Sequence, residues 1–440
     1  MVRLASSTLA IVAPNHRGKL SRTLIARAGL LERWTADVHR VRDRSRPLVW
    51  FHAPSVGEGL QARPIIEALQ RARPDVQIAY SFFSPSAESF AQSLKVDVAG
   101  YLPFDSTYDA HELIAALSPT ALFFVKLDVW PTLVSVAKRN GVFVGLLSGT
   151  VAPSSGRQGA LSRIILRDAY AALDVVGAID KKNGDRLVGL GVASSRLSVS
   201  GDTRFDQVWK RAEGVDRASV LLRALQSSQP TVVAGSTWPA DETVLLAAWT
   251  DVKRRIPNAR LIIAPHEPTP EHLQPILAWA HGRHLSVALL GEVLAARGHV
   301  QSMQNTVHAE SSDSHAVPDS VDVVIVDRVG VLGDIYALAD VAYVGGAFHK
   351  AGLHSVLEPA AFGAPVVFGP RYAMSREAGL LLECGGAVSA SSIAECARAL
   401  GAWLTDTSMR NDAGARASAF VESELGAADR SLRLVLGALA

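Results

Sequence analysis

Cysteine is nearly absent from this chain: Cys384 and Cys396 are the only two in 440 residues. Two thiols cannot build a disulfide framework or a cysteine-based metal site, so a reducing cytoplasm is the natural compartment. A long apolar run is missing as well. Apolar residues make up 48% of the sequence, yet no stretch approaches the roughly 20 consecutive apolar residues that span a bilayer. As written, the chain does not read as an integral membrane protein. Neither sign of charge dominates, with 44 Lys and Arg against 42 Asp and Glu. A general nucleic-acid binder would show a basic surplus, so that class is set aside. The run Leu9 to Ala13 is too short for a signal-peptide core, and export is not expected.

The N-terminus departs from this neutral average. Arg3, Arg17, Lys19, Arg22, Arg27, Arg33, Arg40, Arg42, Arg44 and Arg46 face only Glu32, Asp37 and Asp43. Leu20, Leu24, Ile25, Leu30, Leu31 and Trp34 are interleaved with them. A basic amphipathic helix of this kind can lie on an anionic membrane surface, each cation adding about 1 kcal/mol near the headgroups. The same pattern also fits a solvated arm packed on the body of the protein.

From Leu48 onward, short apolar runs alternate with helical patterns. The runs are Leu48 to Phe51, Val76 to Phe83, Val98 to Leu102, Ala121 to Val125, Val142 to Leu147 and Val175 to Ile179. Strand-helix alternation predicts a parallel sheet covered on both faces. A second series follows, at Thr231 to Gly235, Leu261 to Ala264, Val323 to Val326, Val341 to Val344 and Val366 to Phe368. The expected fold is therefore α/β, with two Rossmann-like domains. Sheets of this type facing a central cleft make up the GT-B architecture of glycosyltransferases, an outline shared with some sugar epimerases. The borders read as an arm over 1–46, a first domain over 47–210, a linker over 211–230 and a second domain over 231–440. Within the last, 299–320 is rich in Ser, His, Asp and Gln and reads as a mobile surface loop. Its histidines are too irregularly spaced for a metal site to be preferred.

The stretch Trp50 to Pro64 organises the first half. It reads as a strand, a small-residue turn through Ser55, Gly57 and Gly59, and then a helix, with Glu58 where the sheet's carboxyl edge meets that helix. Ligands bind at this edge in open α/β sheets, so a carboxylate there is placed to take a proton from a substrate hydroxyl. A first-turn Glu that complements the helix dipole fits equally well.

Nucleotide-type signals gather in the second half. Ser236 and Thr237 follow its first strand and precede a helix start, a setting suited to an anionic phosphate and also to ordinary capping. His266 closes the next strand, where it can meet a base or a phosphate or serve as a polar loop residue. Arg328 lies beside a turn at Gly330, followed by Leu332, and exposed amides next to an arginine suit a phosphate. Gly345 to Pro370 is a glycine-rich loop that feeds a helix carrying His354, Ser355 and Glu358. A hydroxyl there can meet a phosphate, and the carboxylate can accept from ribose hydroxyls.

Taken in order, Phe51 to Glu58, Leu102 to Asp105, Asp128 to Pro131, Gly201 to Asp206, Ala234 to Thr237 and Gly345 to Pro370 resemble the 3-deoxy-D-manno-oct-2-ulosonic acid (Kdo) transferases. The likeness runs from Leu48 to about Cys384. It implies inverting transfer of Kdo from a CMP-Kdo donor to a lipid A precursor, in lipopolysaccharide synthesis at the cytoplasmic face of a Gram-negative inner membrane. The first domain would then bind the acceptor and the second the CMP-Kdo. Lys126 stands where the family commonly has an acid, Thr150 where many members have Arg, Val331 where Glu is frequent and Ser355 where Asn is frequent.

On this resemblance Glu58 is the base, with Ser55 and Gly57 on the acceptor side. Ser236, Thr237, Arg328 and Ser355, with amides at Gly330 and His354, hold the leaving phosphate. Glu358 holds the ribose, while His266 and Leu332 line the donor site. Lys126 meets a carboxylate or phosphate and Asp128 orients a hydroxyl, or both form structural ion pairs. No Asp-x-Asp motif stands at a strand end in a sugar-nucleotide setting, so no metal and no resident cofactor is expected. Asp105 and Asp206 read as turn residues, and Trp130 as a packing anchor. Two rival readings share the outline: a UDP-sugar-dependent GT-B enzyme, and a catalytically silent lipid- or nucleotide-binding homologue.

Overall fold

The computed structural model describes residues 27, 29–152, 155–303, 321–350 and 352–440. Residues 1–26 of the basic arm and 304–320 of the loop lie outside them. The chain divides into two compact units, one ending at Gln207 and completed by Glu424–Ala440, the other Val208–Ser423.

The first unit is built on a seven-stranded sheet of order β3-β2-β1-β4-β5-β6-β7. Its strands are β1 (Leu48–His52), β2 (Gln77–Phe82), β3 (Val98–Tyr101), β4 (Ala121–Val125), β5 (Phe143–Gly149), β6 (Val175–Ala178) and β7 (Leu197–Val199). All pairings are parallel. Every residue of β1, β2 and β4 is buried. That burial on both faces is why these strands read as unbroken apolar runs rather than alternating ones. Trp50, Phe51, Phe123 and Phe124 fill the centre, each contributing roughly 2–3 kcal/mol by removal from water.

Two helices of this unit differ from the sequence expectation. Leu30–Val41 is amphipathic, but its apolar residues Leu30, Leu31, Trp34 and Val38 are buried in the unit's core. The Trp34 indole donates to the Tyr101 carbonyl at 2.8 Å. An apolar face spent on the core is not available to a bilayer, so this part of the arm is a packed helix. At the other end, Ala427–Gly437 lies in the stretch assigned above to the second domain, yet it belongs to the first unit. Asp206 holds it there, accepting from the backbone N–H of Gly426 at 2.8 Å and Ala428 at 3.2 Å. Arg430 Nε donates to the Ser200 carbonyl at 2.8 Å. The Gly201 to Asp206 motif is thus the anchor for a remote helix N-terminus.

The second unit carries its own seven-stranded sheet, order β10-β11-β9-β8-β12-β13-β14. The strands are β8 (Thr231–Thr237), β9 (Arg260–Pro265), β10 (Val287–Leu289), β11 (Val323–Ile325), β12 (Val341–Val344), β13 (Val366–Phe368) and β14 (Ala387–Ser389). They too are all parallel. Part of the expected linker folds: helix Val220–Leu225 buries Leu222, Ala224 and Leu225. The start of the expected loop is helical as well, since Leu290–Met303 continues past His299.

Strand order sets where ligands can approach. In each sheet the chain fills one side of a central strand, then crosses to the other. The crossings leave switch points between β1 and β4 and between β8 and β12. At such points the loops after neighbouring strands diverge and open a crevice at the carboxyl edge.

Candidate functional site

At the first switch point the loop after β1 becomes helix Val56–Ala72, with Ser55 as N-cap and Gly57 and Glu58 in the first turn. Ser-x-x-Glu is the signature of a capping box. Here Ser55 makes no side-chain cap to the backbone; its hydroxyl instead donates to Glu58 Oε2. The second carboxylate oxygen receives Lys126 Nζ at 2.9 Å, from the end of β4. Glu58 is therefore a carboxylate gripped on both oxygens across the switch point, which a simple dipole-complementing role does not require. Burial alone would raise its pKa. The Lys126 charge and the Ser55 and Lys126 hydrogen bonds outweigh that and hold the carboxyl below its ordinary value.

Lys126 has a left-handed backbone, with φ of 72°. A side chain with a Cβ adopts that region at a cost, and the surrounding bonds must hold it. Its N–H donates to the Leu147 carbonyl at 2.8 Å and its carbonyl accepts from Thr150 N–H at 3.1 Å. Thr150 thus helps to turn the chain after β4 so that Lys126 reaches Glu58.

Asp128, two residues on, makes separate bonds. It accepts from Trp130 Nε1 at 2.9 Å and from Arg157 at 2.9 Å. His52 Nε2, fully buried at the end of β1, lies 3.8 Å away. Burial opposes ionisation, but the nearby His52 ring, the Trp130 hydrogen bond and the charge of Arg157 hold the Asp128 carboxyl down at about 2. Asp128 is an ionised acceptor fixed by its neighbours. Asp105, in the Leu102 to Asp105 motif, accepts from Thr132 N–H and Leu133 N–H at 2.9 Å each. It caps helix Pro131–Arg139 from a distance and has a structural role. Trp130 packs edge-on to His52 and against Phe83, at 5.8 and 5.2 Å between ring centres.

The second switch point is crowded with backbone. Gly345 lies so close to the end of β8 that a Cβ there would sit 2.4 Å from the Ser236 carbonyl oxygen. Ser236 itself is left-handed, at φ 53°. Thr237 is buried and donates to Glu242 Oε1 at 2.9 Å. The buried carboxylate of Asp241 ties β8 to the glycine loop, accepting from the N–H groups of Trp238, Gly346 and Phe348 at 3.0, 2.8 and 3.1 Å.

Around Trp238 the aromatic rings stack. His349 lies against it at 4.5 Å and 12°, His266 at 4.6 Å and 29°. His354 meets His266 at 4.5 Å and receives the Trp238 indole N–H on Nε2 at 3.1 Å. The structure thus joins Ser236, Thr237, His266 and His354 through Trp238 and its flanking backbone. Ser355 is exposed, ahead of the five-residue helix Leu357–Ala361. Glu358 is half-buried; burial pushes its carboxyl up, opposed by Arg211 and reinforced by Asp334. At the end of β11, exposed Arg328 bonds Asp327 at 3.0 Å. Gly330 turns the chain at φ 89°, and Leu332 opens helix Leu332–Ile335.

His52, Arg157, Trp238, Asp241 and His349 were not singled out from the sequence. Trp238 between Thr237 and Pro239 carried a usable signal, since an aromatic residue just before a helix start at a carboxyl edge faces the ligand crevice. Arg157 carried none, because only the fold brings it to Asp128. Among the described residues no cluster of His, Cys, Asp or Glu is arranged to hold a metal ion.

Comparison with known proteins places this geometry. Residues 27–207 match the 3-deoxy-D-manno-octulosonic-acid transferase (kdotransferase) family. A 3-deoxy-D-manno-octulosonic acid transferase of Haemophilus influenzae is 24% identical over 392 residues, 88% of this chain and 86% of that protein. One of Chlamydia muridarum is 28% identical over 74% of this chain and 70% of its own length. One of Bordetella pertussis is 26% identical over 73% and 71%. Among solved structures, UDP-GlcNAc 2-epimerase from Neisseria meningitidis bound to UDP-GlcNAc superposes with a TM-score of 0.59 at 11% identity, covering 90% of this chain and 99% of that one. A putative UDP-N-acetylglucosamine 2-epimerase from Listeria monocytogenes gives 0.59 at 10%, covering 89% and 95%. These structural likenesses speak to the fold, two Rossmann-like units of the GT-B type. The sequence relatives and the matched domain go further: residues 27–207 match the Kdo transferase family model, and over most of its length the chain is similar to 3-deoxy-D-manno-octulosonic acid (Kdo) transferases.

Proposed function

We propose that this protein is an inverting glycosyltransferase that moves Kdo from CMP-Kdo to a lipid A precursor in lipopolysaccharide synthesis. The observation that carries the reading is the ionised Glu58 carboxylate, held by Ser55 and Lys126 at the switch point of the family-matched unit. The acceptor hydroxyl oxygen attacks the anomeric carbon, the bond from that carbon to the CMP phosphate breaks, and CMP leaves with the electron pair. Glu58 takes the hydroxyl proton as the oxygen attacks. The transition state is oxocarbenium-like, so the base needs position more than strength, which a lowered pKa allows.

Lys126, about half exposed, offers its ammonium to a carboxylate or phosphate of a substrate, and Asp128 orients a hydroxyl. Ser55 and Gly57 border the acceptor. In the second unit Ser236, Arg328, Ser355 and the amides near Gly330 and His354 favour charge leaving on the phosphate. Thr237, committed to Glu242, supports Ser236 rather than the phosphate. Glu358 accepts from the ribose, and His266 and Leu332 border the nucleotide. No metal or resident cofactor enters the scheme.

The workplace is the cytoplasmic face of the inner membrane, where a lipid acceptor is anchored. No described helix is long and apolar enough to cross a membrane; in this reading the basic N-terminal residues supply the attachment. The test is CMP release from CMP-Kdo with and without a lipid A precursor, beside a panel of UDP-sugars. Acceptor-dependent CMP release is expected. Turnover of a UDP-sugar alone would replace this reading with a UDP-sugar transferase, and folded protein without turnover would leave a silent homologue.

A further inference from the structure

The Trp238–His354 bond constrains chemistry as well as position. An indole N–H can only donate, so the nitrogen that receives it must carry a lone pair. The acceptor is His354 Nε2, at 3.1 Å. His354 is then a neutral imidazole with its proton on Nδ1, and protonating Nε2 would break the bond from Trp238. The rest of the setting favours the same state. Trp238 is held by its own N–H donating to the buried Asp241 carboxylate at 3.0 Å, and its ring is clamped between His266 and His349. The His354 backbone N–H donates to the Gly345 carbonyl at 3.1 Å, fixing the residue at the end of the glycine loop.

We propose that Trp238 is a positioning residue for donor cleavage: it locks His354 as the neutral tautomer whose Nδ1–H donates to the leaving CMP phosphate. This rests on the reading of the second switch point as the CMP-Kdo site. A neutral donor suits the step. An imidazolium would grip the ground-state phosphodiester and the CMP product alike, while a dipole fixed before the reaction stabilises the charge that develops on the leaving oxygen. Burial, with repulsion from His266 and His349, lowers the His354 pKa to about 4, in keeping with an imidazole that stays neutral. The titratable groups facing it are those two histidines, from the end of β9 and from the glycine loop.

The test is the Trp238→Phe variant, which keeps a ring between His266 and His349 but removes the N–H. Nitrogen-15 NMR of histidine-labelled protein reads the tautomer directly, with the His354 signal assigned by its loss in His354→Gln. Wild type should show an Nδ1-protonated His354 that stays neutral through pH 6, and the Nδ1 signal should shift on adding CMP. In Trp238→Phe the tautomer preference should vanish and the ring should begin to charge at higher pH. kcat for CMP release should fall about five- to tenfold, the worth of one neutral hydrogen bond, with KM for donor nearly unchanged. An Nε2-protonated His354 in wild type, no CMP-induced shift at Nδ1, or an unchanged tautomer and kcat in Trp238→Phe would each overturn the proposal. The tautomer is read without turnover, so it stands or falls separately from the Kdo reaction. If wild type shows the tautomer but binds no CMP, the reading of the site has failed instead.

Discussion

Replacing Lys126 by Met removes the cation that holds Glu58 while keeping most of its volume, and the consequence can be worked from the geometry. The ammonium lies 2.9 Å from Glu58 Oε1. Coulomb's law at that distance gives about 1.4 kcal/mol in bulk water and about 6 kcal/mol at an effective dielectric of 20. The Lys126 side chain is 43% exposed and that of Glu58 15%, so solvent screening and the entropy of holding a long side chain bring the net value to about 1 kcal/mol. In wild type the folded carboxyl titrates below its ordinary value. The stabilisation is fully present above the ordinary glutamate range and is lost as pH falls through the folded pKa. In Lys126→Met, burial is the largest remaining influence and pushes the carboxyl up. The acid limb of kcat/KM for CMP release, which reports the free enzyme's base, should therefore move to higher pH. The assay is that pH profile for both proteins, with a carbon-13 titration of the Glu58 carboxyl. An acid limb that stays in place or moves down would refute the assignment of Lys126 as the group that keeps Glu58 ionised.

Two further predictions concern the scaffold. Gly345→Ala places a Cβ 2.4 Å from the Ser236 carbonyl oxygen and 2.6 Å from Thr237 Cα; both are backbone atoms, so β8 and β12 must part. CMP affinity measured by calorimetry should fall at least about tenfold, or about 1.4 kcal/mol, and an unchanged Kd would contradict the placement of the donor at this switch point. Asp206→Ala removes the acceptor for Gly426 N–H and Ala428 N–H, costing about 1–2 kcal/mol as a lost helix cap. Amide exchange across 427–437 should accelerate while kcat stays within about twofold, whereas undisturbed protection would mean that the helix is held by other contacts.

Much of the scaffold was legible because parallel strands buried on both faces must be apolar throughout. Ala121–Val125, Val341–Val344 and Val366–Phe368 match their strands residue for residue. The strands that escaped, β7, β10 and β14, are three residues long and lie at sheet edges, where half the surface is free to be polar. The amphipathic pattern of Leu30–Val41 was equally clear, but periodicity names an apolar face without naming what covers it. Trp34 settled that by packing against Gly100.

At the site, Glu58 stood out as a carboxylate where a sheet's carboxyl edge meets a helix, a position that a dipole-complementing glutamate fits equally well. The reason it is ionised was hidden in Lys126, whose left-handed backbone and reach across the switch point come from tertiary contacts. Asp105 and Asp206 read as turn residues, whereas each accepts from backbone N–H groups at the start of a helix remote from its own turn. Trp238 shows the opposite limit. Its residue type was visible, but only the indole N–H aimed at His354 gives it a role.

The central claim is that Glu58 is the base that takes the acceptor proton. The measurement that meets it most directly is CMP release from CMP-Kdo by Glu58→Gln, with and without lipid A precursor, beside calorimetry of CMP. Glutamine keeps the size and can still accept from Lys126, but it cannot take a proton at neutral pH. The account predicts acceptor-dependent release reduced by about 100-fold or more with CMP affinity unchanged. Acceptor-dependent release within a few-fold of wild type, from a variant that binds CMP normally, would contradict it.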